Sequence, residues 1–390
     1  MRIIHTSDLH IGRDFENSSL ESVQREFLTW LIDQVSAQQA DALIIAGDVW
    51  DKASPSKDAV RALTQFFDRL DALDIDTFVI AGNHDTAARL AFRGEPGDSR
   101  AVRVFAQDED YPTPFVFTKN GETVVITGIP FLDPQRFLEP RPDAEGKPRP
   151  RTHQTVLEDA VTVARERHEG LPAAPTIAIS HAYVRGGTIS DSERRTIGNA
   201  DLVDASVFAS FDYVALGHLH RPQLIDGSEA IAYSGSPIPY SFSEAHEKSI
   251  RIVDIAPNGS ITAQSVPVPM GRPVIVLTDT MDALLNDAKY HAYVEHWVSA
   301  KLTDPGVQAE PKQRLSTRFP FIATVSYASA GGGIGDEGEG GCCEEAPIAE
   351  RTPEAVVADF WQSVTKRVLT EEQQTIVSDG LEQASKGGQE

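Results

Sequence analysis

Short apolar runs alternate with segments of helical periodicity through roughly the first 270 residues. Several of the runs are rich in isoleucine and valine, and each is too short to form a helix, so each predicts a β-strand. Strands that alternate with helices predict a layered α/β or α+β domain. The predicted strands are Arg2–Thr6, Ala42–Ala46, Thr77–Ala81, Thr123–Gly128, Thr176–Ser180, Tyr213–Leu216, Ala230–Tyr233 and Ser249–Ile255.

Three segments between these strands carry apolar residues at the spacing of one helix face. They are Leu20–Gln38, a segment from about Ser56 to Leu73, and His153–Arg167. Ser18 and Glu21 fit a capping box at the start of the first segment, because a hydroxyl and a carboxylate three residues apart can satisfy each other's backbone N–H groups.

The composition changes after residue 269, where Arg272–Thr278 predicts a strand, Asp282–Ala300 a helix and Phe319–Tyr327 another strand. Residues 331–345 hold seven glycines, five acids and no base, which is typical of a flexible loop. We therefore expect four parts: a main domain at 1–268, the first part of a smaller α+β capping domain at 269–330, the loop at 331–345 and C-terminal helices at 346–390.

The C-terminal part predicts a helix from Thr352-Pro353, and a last helix from about Thr370. An apolar stripe on the first of these helices has two interpretations, burial within its own domain or docking of another protein. The stripe is formed by Val356, Val357, Phe360, Val364 and Val368.

Charge and cysteine content limit the class of protein. Thirty-five basic against 58 acidic residues give a net charge of −23, so the overall field does not favour DNA or an acidic membrane. A local basic strip, metal ions or a partner chain remain possible means of binding DNA. No apolar run is long enough to span a bilayer, the first residues enter a predicted strand, and the only cysteines, Cys342 and Cys343, are adjacent. We expect a soluble, reduced, cytoplasmic protein.

Polar residues follow five of the predicted strands at the point where each strand ends. Strand ends on one edge of a sheet converge in space, so these residues are candidates for one site. Carboxylate, amide and imidazole donors without thiolate suit two ions of Mn²⁺, Fe or Zn²⁺ that share a carboxylate. The five segments are Asp8-Leu9-His10, Gly47-Asp48, Gly82-Asn83-His84-Asp85, His181 and Gly217-His218-Leu219-His220.

In order and spacing, these five segments resemble the calcineurin-like metallophosphoesterase superfamily. The longer stretches 5–12, 47–51, 217–223 and 233–244 resemble the SbcD nuclease family within it, and the similarity covers about residues 1–255. The resemblance implies a layered β-sandwich flanked by helices, with the smaller capping domain after it. It also implies a DNA nuclease that uses two divalent metals per chain, with Mn²⁺ expected and Mg²⁺ possible.

The resemblance assigns a role to each residue of the site. One metal is bound by Asp8, His10, Asp48 and His220, and the other by Asp48, Asn83, His181 and His218, with Asp48 shared. His84 orients the scissile phosphate or protonates the leaving O3′. Asp85 either fixes the tautomer of His84 or caps a helix start, and Asp51 either holds a ligand imidazole or caps its own loop. His5 is expected to be a buried structural histidine, and His291 and His296 surface residues.

Arginines near these loops offer a local strip for DNA phosphates, although scattered solvated side chains are an equal alternative. The chain has no glycine-rich Gly-Lys-Ser/Thr loop for nucleotides, so we expect no ATP bound by this chain. The family implies an SbcC-type ATPase partner and a homodimer within a heterotetramer. The alternatives are a phosphoesterase for small molecules or phosphoproteins, and a metal-free protein-binding scaffold. The candidate arginines are Arg13, Arg89, Arg93, Arg185, Arg194, Arg195 and Arg221.

Overall fold

The computed structural model describes residues 1–52, 54–85, 90, 102–105, 112–135, 140–193, 202–328, 370 and 373–378. The chain divides into two compact units, Met1–Ala330 and Gly331–Glu390. The glycine-rich loop, both cysteines and the apolar stripe of the predicted C-terminal helix lie outside the described residues. In the second unit residues 373–378 are helical, and the Thr370 hydroxyl accepts a hydrogen bond from the Gln373 N–H, as expected for a helix that starts there.

The first unit holds the regular elements. Its helices are α1 (Glu21–Ala37), α2 (Lys57–Ala72), α3 (His153–His168), α4 (Met281–Asn286) and α5 (Pro311–Ser316), with 3₁₀ helices at Ala205–Phe208 and Ala288–Tyr293. Its strands are β1 (Arg2–Thr6), β2 (Asp14–Phe15), β3 (Ser18–Ser19), β4 (Ala42–Ile45), β5 (Asp76–Ile80), β6 (Val102–Phe105), β7 (Pro114–Lys119), β8 (Glu122–Ile129), β9 (Thr176–His181), β10 (Tyr183–Val184), β11 (Leu202–Val203), β12 (Tyr213–Gly217), β13 (Gln223–Ile225), β14 (Ser228–Tyr233), β15 (Ser249–Ile255), β16 (Ile261–Pro267), β17 (Val274–Asp279), β18 (Trp297–Leu302) and β19 (Ile322–Tyr327).

Two large mixed sheets pack face to face. Their strand orders are β16-β15-β1-β4-β5-β6 and β13-β14-β12-β9-β8-β7. The core between them is apolar, with Ile3 and Phe78 from one sheet against Ile126 and Ile179 from the other. Helices α1 and α2 cover the outer face of the first sheet, and α3 covers that of the second. Because both faces of each sheet are buried, the central strands are continuously apolar rather than alternating. The predicted layered β-sandwich flanked by helices is confirmed.

Strands β17, β18 and β19 form a separate three-stranded parallel sheet with α4 and α5 against it. This sheet has its own core, which includes Val298, Leu315 and Phe319. A small apolar cluster joins it to the sandwich, with Val274 and Ala323 packed among Phe15, Ile238 and Tyr240. Among the described residues, no helix is both long and apolar enough to cross a bilayer.

Two local predictions were wrong. The helix predicted over Asp282–Ala300 ends at Asn286, and its last residues belong to β18, whose alternate residues Val298, Ala300 and Leu302 are buried in the small sheet. The Ser18–Glu21 capping box does not form, because Ser18 and Ser19 are paired as β3 with β2, and α1 starts after Leu20 without a side-chain cap. In each case, strand pairing takes precedence over the local helical signal.

His5, on β1, is fully buried, as predicted for a structural histidine. Its ring nitrogens lie 3.1 Å from the Tyr213 hydroxyl and 3.2 Å from the Leu216 carbonyl oxygen. Burial lowers the pKa of His5 to about 3, and the nearby positive charge of Arg251 acts in the same direction. The folded protein therefore keeps His5 neutral in acid, whereas the unfolded chain protonates it below about pH 6.5.

We expect His5 to contribute to acid lability. Between about pH 6.5 and pH 3 the unfolded state binds one more proton at His5, so stability falls by about 1.4 kcal/mol per pH unit as the pH decreases. Urea unfolding of the metal-free protein at pH 6.0, 5.25 and 4.5 measures this slope. The variant His5→Gln is expected to lose stability more slowly over the same range. Equal slopes for the two proteins would contradict the prediction.

Candidate metal centre

The carboxyl ends of five strands meet at one edge of the sandwich. In the first sheet β1, β4 and β5 are parallel neighbours, and in the second sheet β9 and β12 are parallel neighbours. The ends of these strands and the loops after them carry every side chain that the sequence marks as a candidate ligand. Those seven residues are Asp8, His10, Asp48, Asn83, His181, His218 and His220, of which all but the half-buried Asn83 are buried.

Asp8, His10 and His220 form a first group of potential ligands, whose donor atoms all lie within 4.8 Å of one another. The Nε2 atoms of His10 and His220 are 3.1 Å apart. The Asp48 Oδ2 atom lies 3.6 Å from His10 Nε2, so it faces this group as well.

A second group lies on the other side of Asp48. The same Oδ2 atom is 3.4 Å from His181 Nε2. The Asn83 Oδ1 atom is 3.0 Å from His181 Nε2 and 3.1 Å from His218 Nδ1. One carboxylate oxygen is thus near imidazole nitrogens of both groups, which is the arrangement of a carboxylate that bridges two cations.

The hydrogen bonds of His181 fit a cation better than a network of protein groups alone. Its Nδ1 lies 2.9 Å from the Ala46 carbonyl oxygen, which only accepts, so this nitrogen carries a proton. In the neutral ring, Nε2 then directs a lone pair toward the oxygens of Asp48 and Asn83. Three electron-pair donors that face one another are stabilised by a positive ion between them. Since the donors are imidazole, carboxylate and amide, the residues fit a divalent transition metal.

The electrostatics of the site agree with this fit. Burial opposes a charged His181, yet the Asp48 carboxylate outweighs it and raises the pKa of His181 to about 9. Burial also disfavours the ionised form of Asp48, but His181 and His10 hold the pKa of Asp48 well below its usual range. Burial and the neighbouring His181 lower the pKa of His218 to about 3. The pocket therefore combines an ionised carboxylate with a neutral imidazole and favours positive charge beside Asp48.

The backbone around the site is strained. Asp8, His10, Asp48 and His218 all have positive φ, from 42° to 106°, a region that non-glycine residues rarely adopt. Each such residue costs about 1–3 kcal/mol, and strain of this kind concentrates at functional sites. Close packing leaves space only for glycine at Gly217, where a Cβ atom would lie 1.8 Å from the Ala46 carbonyl oxygen.

His84 lies beside the potential ligands. Its backbone N–H donates to Asp48 Oδ1 at 2.8 Å, and its ring centroid is 4.7 Å from that of His10. The ring Nδ1 lies 2.7 Å from the Asp51 carbonyl oxygen, so Nδ1 carries the proton and Nε2 is left as the other functional atom. The Asp51 backbone thus fixes the tautomer of His84.

The role predicted for Asp85 as the partner of the His84 ring was wrong. The Asp85 carboxylate accepts hydrogen bonds from the backbone N–H groups of Val49, Trp50 and Gly82, and so joins the loops after β4 and β5. Burial and the nearby Asp48 raise the pKa of Asp85 to about 7. The Asp51 carboxylate lies 3.8 Å from His10 Nδ1, on the side predicted for a group that holds a ligand imidazole.

Sequence reasoning missed a set of polar residues behind His220. The His220 Nδ1 atom lies 2.7 Å from the Ser192 hydroxyl and 3.2 Å from the buried Glu244 carboxylate. The His220 N–H donates to Glu193 at 2.7 Å. Glu244 lies within the stretch 233–244 that carried the family resemblance, which was the one available signal for it.

The candidate arginines differ in their surroundings. Arg13 is partly buried at the site, where its guanidinium lies 3.5 Å from Asp51 and over the Tyr240 ring. Arg185 is paired with Asp204 at 2.7 Å, and Arg221 is exposed. Because Arg13 and Arg185 already have acidic partners, Arg221 is the most accessible of these three. The remaining candidates Arg89, Arg93, Arg194 and Arg195 lie outside the described residues.

Comparison with known proteins gives concordant matches. The family model for calcineurin-like phosphoesterases matches residues 1–222. The SbcD component of the SbcCD nuclease from Escherichia coli K12 is 33% identical over 76% of this chain and 74% of its own length. The protein of the same name from Staphylococcus saprophyticus is 30% identical over 99% of this chain and 100% of its own length.

Among solved structures, the protein TT1561 of Thermus thermophilus aligns with a TM-score of 0.37 and 15% identity, over 68% of this chain and 98% of its own. The family match covers more than half of the chain, and the named relatives cover most of it. These findings confirm the resemblance inferred from the sequence motifs. The chain therefore belongs to the calcineurin-like phosphoesterase family and is a metal-dependent phosphodiesterase.

Proposed function

We propose that this protein is a DNA nuclease that hydrolyses phosphodiester bonds with two divalent metal ions, Mn²⁺ in the first place and Mg²⁺ as the alternative. The observation that carries the proposal is the position of Asp48 Oδ2 between two groups of imidazoles, 3.6 Å from His10 and 3.4 Å from His181. Similarity to proteins named as components of a nuclease supports DNA as the substrate.

In this proposal, Asp48 is shared by two metal sites. One site is formed by Asp8, His10, Asp48 and His220, and the other by Asp48, Asn83, His181 and His218. When bound, two divalent ions supply Lewis acidity to the phosphate and a lowered pKa to a bound water. The buried position of the ligands favours this chemistry, because electrostatic interactions are stronger where water is excluded.

His84 acts on the substrate in this proposal. Its Nδ1 is directed to the Asp51 carbonyl oxygen, so Nε2 is the atom that meets the DNA. A neutral ring in this tautomer accepts at Nε2, and a protonated ring donates there. His84 therefore either orients the scissile phosphate or delivers a proton to the leaving O3′.

We infer that the chain works with an SbcC-type ATPase, as the names of its relatives indicate, in the processing of DNA double-strand breaks and hairpins. The activities proposed are a double-strand exonuclease and a single-strand endonuclease, in a homodimer within a heterotetramer. ATP hydrolysis belongs to the partner chain. The C-terminal segment 346–390 is the proposed docking region.

A nuclease assay tests the proposal. Linear duplex DNA and p-nitrophenyl phosphate esters are offered to the protein with Mn²⁺, with Mg²⁺ or with EDTA, each with and without the ATPase partner. We expect DNA cleavage with Mn²⁺ and none with EDTA. Preferential turnover of the small esters would favour a small-molecule phosphoesterase. Protein that acquires no metal from a Mn²⁺ solution would favour a scaffold.

Arg194 and Arg195 follow the segment that contacts His220, and we propose that they bind DNA phosphates. Replacing both with glutamate is expected to weaken duplex binding and to make the log–log salt dependence shallower by about 2, since each lost phosphate contact removes about one unit of slope. Fluorescence anisotropy of a labelled duplex at several salt concentrations measures both quantities.

The matched control reverses two arginines elsewhere, Arg141→Glu with Arg165→Glu. Both are exposed at α3 or beside it, and α3 covers the outer face of the second sheet. The control is expected to keep most of the salt slope. If the two double variants lost the same amount of slope, a specific contact by Arg194 and Arg195 would be excluded, and a general charge effect would remain.

A further inference from the structure

A buried acid and a buried base lie directly behind His220. Glu244 is fully buried, and its Oε1 lies 3.2 Å from His220 Nδ1. Its other oxygen accepts from the Lys248 ammonium group at 2.5 Å, and Lys248 is itself only 5% exposed. Charged side chains are rarely buried to this extent without a specific partner. Here each charge has one, and the carboxylate also faces a candidate metal ligand.

Lys248 is fixed by groups around the same histidine. Its ammonium group donates to the His220 carbonyl oxygen at 3.0 Å and to the Ser236 hydroxyl at 2.9 Å. Both the ring and the backbone of His220 are thus held by one ion pair. The lysine balances the charge of Glu244, so the carboxylate adds little net charge to the pocket.

The orientation of His220 follows from its neighbours. The Glu244 carboxylate only accepts hydrogen bonds, so it stabilises a proton on His220 Nδ1. The Ser192 hydroxyl reaches the same nitrogen and also contacts Glu244, and a hydroxyl adapts to either role. The proton on Nδ1 leaves Nε2 with a free lone pair, directed at His10 Nε2 at 3.1 Å.

We propose that Glu244, held and neutralised by Lys248, is a positioning residue that fixes the tautomer and ring orientation of His220 for metal binding. The inference rests on the proposed function, because it concerns a ligand of the proposed metal pair. A hydrogen-bonded carboxylate behind a ligand histidine raises the basicity of the ligand nitrogen and restricts its ring.

The variant Glu244→Gln tests the proposal. A glutamine has the same shape, but its amide can either accept from Nδ1 or donate to it, so both tautomers of His220 are allowed. Calorimetric titration of the full chain with Mn²⁺ is expected to show one of two sites weakened by 10–100-fold, and the other changed by less than about threefold. Nitrogen-15 NMR of histidine-labelled, metal-free protein is expected to show the Nδ1–H form of His220 in the wild type and a mixture in the variant, with His220→Gln as assignment.

Two further variants separate positioning from folding. Glu244→Gln combined with Lys248→Met removes both buried charges together, so it avoids leaving one charge unpaired. It is expected to fold and still to bind one Mn²⁺ weakly. Ser241→Ala is the matched control, because Ser241 contacts Glu244 at 3.2 Å, on the side away from the proposed ligands, and Mn²⁺ affinity should stay within about twofold.

The outcomes distinguish the two proposals. If wild-type protein binds two Mn²⁺ and both Glu244 variants bind them equally well, or if His220 keeps the Nδ1–H form in both variants, the role of Glu244 is overturned and the proposed function stands. If wild-type protein binds no Mn²⁺, the proposed function fails, and the inference fails with it.

Discussion

Replacing Asp48 with asparagine is expected to abolish nuclease activity, with a fall of at least about a thousandfold. Asp48 is the one carboxylate whose oxygen lies near imidazoles of both ligand groups, and it is 2% exposed. The amide carries no negative charge to offset two divalent cations in a pocket that excludes water. A thousandfold loss corresponds to about 4 kcal/mol of transition-state stabilisation, which is within the range that metal ions supply.

The same variant is expected to bind at most one Mn²⁺ per chain, as measured by calorimetry or by metal analysis after gel filtration. Its fold should be retained, because an asparagine Oδ1 can still accept the hydrogen bond from the His84 N–H. Circular dichroism and thermal unfolding check this point. Asp254→Asn is the matched control, since Asp254 pairs with Arg2 on β15 and is partly exposed. A variant of Asp48 that still bound two Mn²⁺ and cut DNA would rule out a bridging role.

Much of the sandwich was predictable because its strands are buried on both faces. A strand such as Ala42–Ile45 is apolar at every position, so it is recognised without knowledge of its neighbours. Strands that lie at sheet edges were missed, among them Ile261–Pro267, in which exposed and half-buried residues alternate. β18 was misassigned for a related reason. Its alternation is short, and the preceding segment has helical spacing.

The site was predictable in part. The polar residues after β1, β4 and β5 follow adjacent parallel strands, so their convergence is a consequence of sheet geometry. The approach of His181 and His218 from the other sheet is a property of the packing between sheets, which hydrophobic periodicity does not contain. The family resemblance supplied that part. The role of Glu244 depends on a loop that folds back behind His220, and no local pattern encodes such a contact.

His84→Gln is expected to separate chemistry from metal binding. The His84 side chain is not one of the proposed ligands, and its Nδ1 is held by the Asp51 carbonyl oxygen, so its Nε2 is free for the substrate. A glutamine cannot exchange a proton near neutral pH, so DNA cleavage should fall by about 10²–10⁴-fold, the usual contribution of a general acid or base. Both Mn²⁺ ions should still bind, with affinities within about threefold of wild type.

The comparison of activity with metal content gives this prediction its force. Nuclease assays on linear duplex DNA and Mn²⁺ calorimetry are run on the same preparations, with His291→Gln as a control at an exposed histidine. Loss of both activity and one Mn²⁺ would identify His84 as a ligand, and full activity would remove it from the reaction. The backbone geometry favours neither of these, because the contact to Asp48 is made by the His84 N–H and not by its ring. The imidazole is therefore left to act on the DNA, beside the metal pair rather than within it.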